Sequence, residues 1–351
     1  MSDEPVSDER VPEKPATTPD PQQILWQLLS GKQLTYSLSG VARLGVADHM
    51  SATPKPVEEI AEAVGAHAPS LYRVMRTLAS MGVFTEAPGK SFALTTSGEF
   101  LKSGIPGSLR YTAMMFGDSW TTRAYEHFTD CLRTGEDGVS KAYGQQIFDV
   151  LAEHPEQLET FQAAMTSSST LVGRAVVEAY DFTGIERIAD VGGGHGALLA
   201  SILRHYPTMQ GVLFDREEIV RGVPEGQFDG CDGRVVLEGG SFFESVPENC
   251  DAYIMKHIIH DWSDEHCRAI LKLMREQLPA DGRVLLCELV VPDDPGPAPA
   301  KMLDIEMLLV TVGGKERTEQ EFAELFGTCG FRLTEIVRTK RPICVIEAVC
   351  A

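Results

Sequence analysis

The sequence lacks any unbroken apolar run approaching the roughly eighteen residues of a membrane-spanning helix, so no span is expected. It also lacks the basic-then-apolar opening of a secretory leader. Its first residues, MSDEPVSDERVPEKPATTPDPQQ, are instead acidic and proline-rich. None of the eight cysteines, at 131, 231, 250, 267, 287, 329, 344 and 350, stands in a C-x-x-C pair. Several lie inside apolar runs, as Cys287 does after Val284, Leu285 and Leu286, which is how reduced core cysteines behave. A cytoplasmic protein is expected. Positive charge is scarce: 31 Lys and Arg face 51 Asp and Glu, for a net charge of −20. Phosphate binding needs a basic face, so nucleic acid is not an expected partner.

The chain does have length and apolar content. Its 351 residues suggest two domains, or one with an appendage, and 43% hydrophobic residues suffice for a sizeable core. Residues 1–22 hold too little apolar surface to offset their ordering entropy and read as a disordered tail. Over residues 23–107 the pattern is mainly helical. One helix opens at Val57 after Pro54 and Pro56; another follows Ala68-Pro69-Ser70, with Leu71, Val74, Met75 and Leu78 on one face. Two short β-like runs around Phe84 and Phe92, joined through Pro88-Gly89, complete a winged-helix outline. Residues 108–180 read as mostly helical, anchored by Trp120, Phe128, Phe148, Phe161 and Met165.

From residue 181 the rhythm becomes strand, helix, strand, helix. Candidate strands are 187–191, 211–214, 235–237, 252–255 and 283–289, and a late pair, 332–338 and 343–349, is expected to run antiparallel. This predicts an α/β domain: a mostly parallel seven-stranded sheet with helices on both faces. No internal repeat interrupts it.

Residues 189–196, ADVGGGHG, join an apolar strand to a helical run. Glycines let the backbone turn tightly and present free N–H groups to a ligand. Gly192, Gly194 and Ala197 also fit the dinucleotide pattern G-x-G-x-x-A, so the loop alone does not separate NAD from S-adenosylmethionine. Asp215 ends the second strand, where an acid can accept ribose hydroxyls in either cofactor class. Gly239-Gly240-Ser241-Phe242-Phe243 follows the third strand; there an aromatic can stack on adenine, or simply be buried beside a turn.

Residues 253–266, YIMKHIIHDWSDEH, run off the end of the fourth strand, with Ser263 placed to cap the next helix. Open α/β sheets bind ligands outside the carboxyl ends of their strands, so His257, His260 and Asp261 sit where chemistry is expected. The two histidines lack a further matching set of ligands nearby in the sequence, and no metal is expected. A phenol has a pKa of about 10 and an unperturbed histidine about 6.5. A neutral imidazole could therefore take the phenolic proton as the oxygen attacks. Glu288, in LLCELVVP, and Glu316, in VGGKERTEQEF, could orient that imidazole and stabilise its charged form. Taken alone, either reads as a solvated surface charge.

In combination, ADVGGGHG, LFD, GSFF, K-x-x-x-HDWSDEH, E-x-x-x-P and GGKER closely resemble the class I small-molecule O-methyltransferases of the caffeate and acetylserotonin type, including bacterial members acting in secondary and antibiotic metabolism. The resemblance covers about residues 24–350. It implies a Rossmann-like methyltransferase domain over 181–351 and an N-terminal winged-helix domain that serves homodimerisation, not DNA binding. It implies S-adenosylmethionine as cofactor, with Gly192, Gly193 and Gly194 around its methionyl part, Asp215 on the ribose, Ser241 and Phe242 at the adenine, and Lys256 and Ser169 on its polar groups. His260 becomes the general base, flanked by Glu288 and Glu316. Trp120, Phe161, Met165, Asp261, Met302 and Met307 fall in the substrate-lining regions, for a small aromatic acceptor. Two positions depart from the pattern: Ser241 stands where many relatives carry Asp, and Arg216-Glu217 replaces a common Leu-Pro.

Three rival readings remain. A winged-helix regulator would have only Arg73 and Arg76 on its recognition helix. A relative that had turned to hydroxylation or decarboxylation would not be expected to keep His260, Glu288 and Glu316. An NAD enzyme is disfavoured by the GSFF and HDW segments.

Overall fold

The computed structural model describes residues 20–351 apart from Asp232, and not the side chains of Ser168 and Thr170. Most of the expected tail therefore lies outside the described residues. Its boundary moves, however, because a helix already begins at Pro21 and runs to Leu29. Asp20 caps it by accepting from the Gln22 N–H, and Pro21 at the first helical position costs no hydrogen bond.

The N-terminal unit packs helices Gly31–Arg43, Val57–Ala63 and Ala68–Ser80 against a small sheet. Its strands are β1 (Lys55–Pro56), β2 (Phe84–Ala87) and β3 (Ser91–Leu94), in the order β1-β3-β2, all antiparallel. The hairpin was expected; β1 was not. Ile60, Met75, Leu78, Phe84 and Phe92 are among its core residues. Residues 110–179 are helical in short pieces, closed by the long helix Pro155–Ala179.

The large sheet contains β4 (Arg187–Val191), β5 (Gln210–Asp215), β6 (Val235–Gly239), β7 (Ala252–Lys256), β8 (Arg283–Glu288), β11 (Phe331–Arg338) and β12 (Cys344–Cys350). Its order is β11-β12-β8-β7-β4-β5-β6. Only β12 runs against its neighbours, pairing antiparallel with β8 and β11, as expected of the late strand pair. Two further strands, β9 (Val290–Val291) and β10 (Arg317–Thr318), form a separate parallel bridge.

Alternate residues of the central strands enter different cores. Val284 and Leu286 pack on one face of the sheet with Tyr253, Met255 and Val191; Leu285 and Cys287 pack on the other with Ile254 and Ile188. Burial on both faces explains why these strands read as apolar runs instead of alternating. All eight cysteines are unpaired and all but Cys350 are buried. No described helix is long and apolar enough to cross a membrane.

Candidate active site

The strand order reverses between β4 and its neighbours β5 and β7, and the crevice outside their carboxyl ends is where an open α/β sheet receives a ligand. The glycine loop leaves β4 there. Gly192, Gly194 and Gly196 have φ of 72°, 58° and 79°, left-handed values that favour glycine. Added methyl groups would collide at two neighbouring positions. At Gly193 a Cβ would stand 2.5 Å from Leu213 Cδ1, and at Gly192 2.7 Å from Ile258 Cδ1. At Gly194 it would meet nothing within 4 Å, so the crest of the loop faces open space.

The Gly194 N–H donates to Asp215 Oδ2 at 2.8 Å, and the Arg216 N–H donates to Asp215 Oδ1 at 2.7 Å. The loop and the acid are therefore one unit, with spare lone pairs on both carboxylate oxygens for further donors. Burial raises the proton affinity of Asp215, while those two N–H groups work to lower it. Phe242 lies 3.6 Å from where a Gly192 Cβ would be, and meets Trp262 edge-on with ring centres 6.1 Å apart. The Ser241 hydroxyl accepts from the Phe243 N–H at 3.3 Å. An acid, an aromatic and a glycine turn whose crest faces open space, on adjacent strand ends, suit a nucleoside joined to a polar tail.

Beyond β7, His257 adopts φ 52°, rare for a non-glycine residue, and leads into the short turn Ile259–Asp261 that carries His260. Glu288, at the end of β8, is fully buried. Its Oε1 accepts from the Ile258 and Ile259 N–H groups, both at 3.0 Å. Its Oε2 lies 3.7 Å from His260 Nδ1 and 3.6 Å from His257 Nδ1. Glu316 reaches His260 Nδ1 at 2.7 Å. The β9–β10 bridge brings the two glutamates together, because it sets Arg317 opposite Val290, one and two residues beyond them. Neither glutamate is a surface charge: they are 0% and 4% exposed.

His260 Nε2 is left with Asp261 Oδ1 at 3.5 Å. Burial alone would lower the proton affinity of this ring. The carboxylates of Glu288, Asp261 and Glu316 overcome that and lift its pKa to about 10. The ring is then an imidazolium at neutral pH in the free protein, whereas an isolated histidine would be mostly neutral. His257, stacked on it with ring centres 4.9 Å apart, is driven the other way by burial, to about 4, despite Glu288. Burial lifts Asp261 to about 6, against the pull of His260. Nitrogen NMR of the ligand-free protein at neutral pH should show both ring nitrogens of His260 protonated and His257 neutral. A neutral His260 would contradict this electrostatic account.

Ligand atoms of His257, His260 and Glu288 lie within 4.8 Å of one another, close enough to share a cation. Competing against one are the proton that the cluster already binds and the engagement of His260 Nδ1 by Glu316.

The remaining expected site residues divide. Lys256 ends β7 beside the loop; burial lowers its proton affinity, with Asp190 and Glu288 opposing. The Ser169 hydroxyl donates to the Met165 carbonyl of its own helix, at 2.7 Å. Trp120 and Met307 are buried in one apolar cluster, with Phe161 packed against them. Met302 is instead 74% exposed, on the outer face of the helix Pro299–Val310 together with Ile305. Three participants escaped the sequence reading. Asp190, 1% exposed, is lifted by burial to about 7; its signal was an acid inside an apolar strand. Asp304 accepts from the Glu316 N–H at 2.8 Å. Arg317, beside Glu316, is fully buried.

Comparison with known proteins adds the following. Residues 125–332 match the model of an O-methyltransferase domain, and residues 26–103 that of an O-methyltransferase dimerisation domain. The chain is similar to a phenazine O-methyltransferase of Lysobacter antibioticus, 40% identical over 93% of this chain and 95% of the relative. It is also similar to an O-demethylpuromycin O-methyltransferase of Streptomyces alboniger, 33% identical over 93% and 87%. A methyltransferase of calicheamicin biosynthesis, solved in its SAH-bound form, superposes with a TM-score of 0.85 and 32% identity over 95% of this chain and 100% of that one. SAH is what S-adenosylmethionine becomes on losing its methyl group.

Proposed function

As this chain belongs to the O-methyltransferase family and uses S-adenosylmethionine as methyl donor, we propose that it methylates a hydroxyl of a small aromatic acceptor, with His260 receiving the proton that the hydroxyl gives up. The observation that carries this reading is the His260 ring, held through Nδ1 by Glu316 at 2.7 Å while Nε2 remains open to an acceptor. The phenazine-directed relative supports an aromatic acceptor, and the calicheamicin relative supports a role in secondary metabolism.

S-adenosylmethionine supplies a methyl group already activated by its sulfonium, so no metal is needed to activate it. Asp215 would hold the ribose, the glycine loop the methionyl part, Ser241 with Phe242 the adenine, and Lys256 and Ser169 the cofactor's polar groups. A ring whose pKa is lifted to about 10 is already protonated at neutral pH, and it must release that proton to solvent before it takes one from a phenol, whose own pKa is about 10. A proton can then pass between them at little cost as the oxygen attacks. Neutral imidazole with phenol and imidazolium with phenolate are two forms of one arrangement, and the three carboxylates favour the second. A cation bound nearby lowers the proton affinity of the ring and moves it toward the working range of a base. The N-terminal domain would pair two chains, presenting Leu25, Trp26 and Leu28, which are exposed in the single chain.

The test is a panel of phenolic acceptors incubated with methyl-labelled S-adenosylmethionine and read by mass spectrometry, with and without a chelator. The expected result is label on a phenolic oxygen, at the same rate in both. Activity abolished by the chelator and restored by a divalent ion would overturn the metal-free reading.

A further inference from the structure

The turn that carries His260 has little to hold it. It is three residues long, and its own backbone bonds are Asp261 N–H to the Ile258 carbonyl at 3.1 Å and Trp262 N–H to the Ile259 carbonyl at 3.4 Å. Glu288 secures its entry by accepting from the Ile258 and Ile259 N–H groups. On the carbonyl side the Cys267 thiol, a single weak donor, lies 3.2 and 3.4 Å from the Ile259 and Trp262 oxygens. A stronger hold is needed, because a base displaced by about 1 Å can lose a hundredfold in rate.

Arg317 meets that need. It is the largest fully buried side chain among the described residues, at 1% exposure. Nη1 donates to the Ile259 carbonyl at 3.0 Å and Nη2 to the Trp262 carbonyl at 3.1 Å. These two carbonyls bracket His260 and Asp261. The same guanidinium donates through Nε and Nη2 to Asp264 Oδ1, at 3.1 and 2.7 Å, which ties the turn to the first residue of the next helix. Gly314 points the same way independently: a Cβ there would stand 2.4 Å from the His260 carbonyl oxygen and 2.7 Å from the Asp261 carbonyl carbon. The segment 314–317 thus lies directly against the turn, with Glu316 on the ring and Arg317 on the backbone.

We infer that Arg317 is a positioning residue for methyl transfer: its buried fork fixes the turn that aims His260, without touching cofactor or acceptor. The inference rests on the reading of His260 as proton acceptor. Lysine would keep the charge but replace a rigid five-donor fork by one flexible point, and should serve poorly.

The experiment is a double-mutant cycle in the full-length protein. Turnover, KM and affinity for SAH are measured for Arg317→Met and Arg317→Lys, each in the parent and in the His260→Ala background. Thermal melts and SAH binding report folding, and if Arg317→Met does not fold, Arg317→Lys carries the cycle. The expected result is turnover down about tenfold or more for Arg317→Met, with partial recovery in Arg317→Lys and SAH affinity within about twofold of the parent. In the His260→Ala background the same substitutions should cost nothing further. Equal losses in both backgrounds, or a matching loss of SAH affinity, would overturn the inference. A His260→Ala protein with parental turnover would instead sink the reading beneath it.

Discussion

The His260→Ala protein should turn over about a hundred to ten thousand times more slowly than the parent, the range typical of a lost general base. Its affinity for S-adenosylmethionine should be unchanged, because the cofactor site proposed here is built from the glycine loop, Asp215 and Phe242. The removed ring leaves two buried carboxylates, Glu288 and Glu316, without the cation that offsets them. Those groups can lower the local charge by taking up a proton, so the variant should still fold. Glu316→Gln should be milder, since an amide can still accept from Nδ1 but contributes no charge. Steady-state kinetics beside SAH calorimetry separates the two effects. Parental turnover in His260→Ala would remove it from the chemistry.

Asp215→Ala should act on the other half of the reaction. The alanine loses the acceptor proposed for two ribose hydroxyls and also releases the Gly194 N–H that the carboxylate holds at 2.8 Å. Hydrogen bonds to a charged group contribute about 1.5–3 kcal/mol each. Losing two should weaken cofactor binding about a hundredfold or more. Calorimetry with SAH checks this directly, and Asp215→Asn, which keeps one acceptor oxygen, should fall between. An unchanged affinity would mean that the ribose is held elsewhere.

The central strands of the large sheet were legible because burial on both faces leaves continuous apolar runs, as in residues 284–287, bounded by turns. The Ser263 cap was legible for a similar reason: its hydroxyl accepts from the His266 N–H three residues on, a local rule. β1 was not, since a Lys-Pro pair shows no alternation and proline brings no donor to the ladder. The helix at Pro21 was hidden by composition; Asp20 followed by proline was the better signal. At the site, the expected identities of His260, Glu288 and Glu316 came from motifs, but their convergence depends on a two-residue parallel bridge with no sequence signature. The charge on His260 was also out of reach. A single histidine suggests a neutral ring, and only the summed field of three carboxylates makes it an imidazolium. The outward turn of Met302 in the single chain was not legible either, since nothing in its segment distinguishes that methionine from the buried Met307.

The most direct test of His260 as proton acceptor is the ratio of parental to His260→Ala turnover on a phenolic acceptor as pH rises from about 6 to about 10. Without the ring, the variant depends on phenolate supplied by solution, which becomes tenfold more abundant with each pH unit below the phenol's pKa. With the ring's pKa brought toward neutral by the cofactor's positive charge, parental turnover levels off above that lowered pKa. The account predicts a ratio that shrinks from there toward a pH of about 10, with SAH affinity flat throughout. A ratio that stays constant across the range would contradict it, and would mean that His260 orients the acceptor without taking its proton.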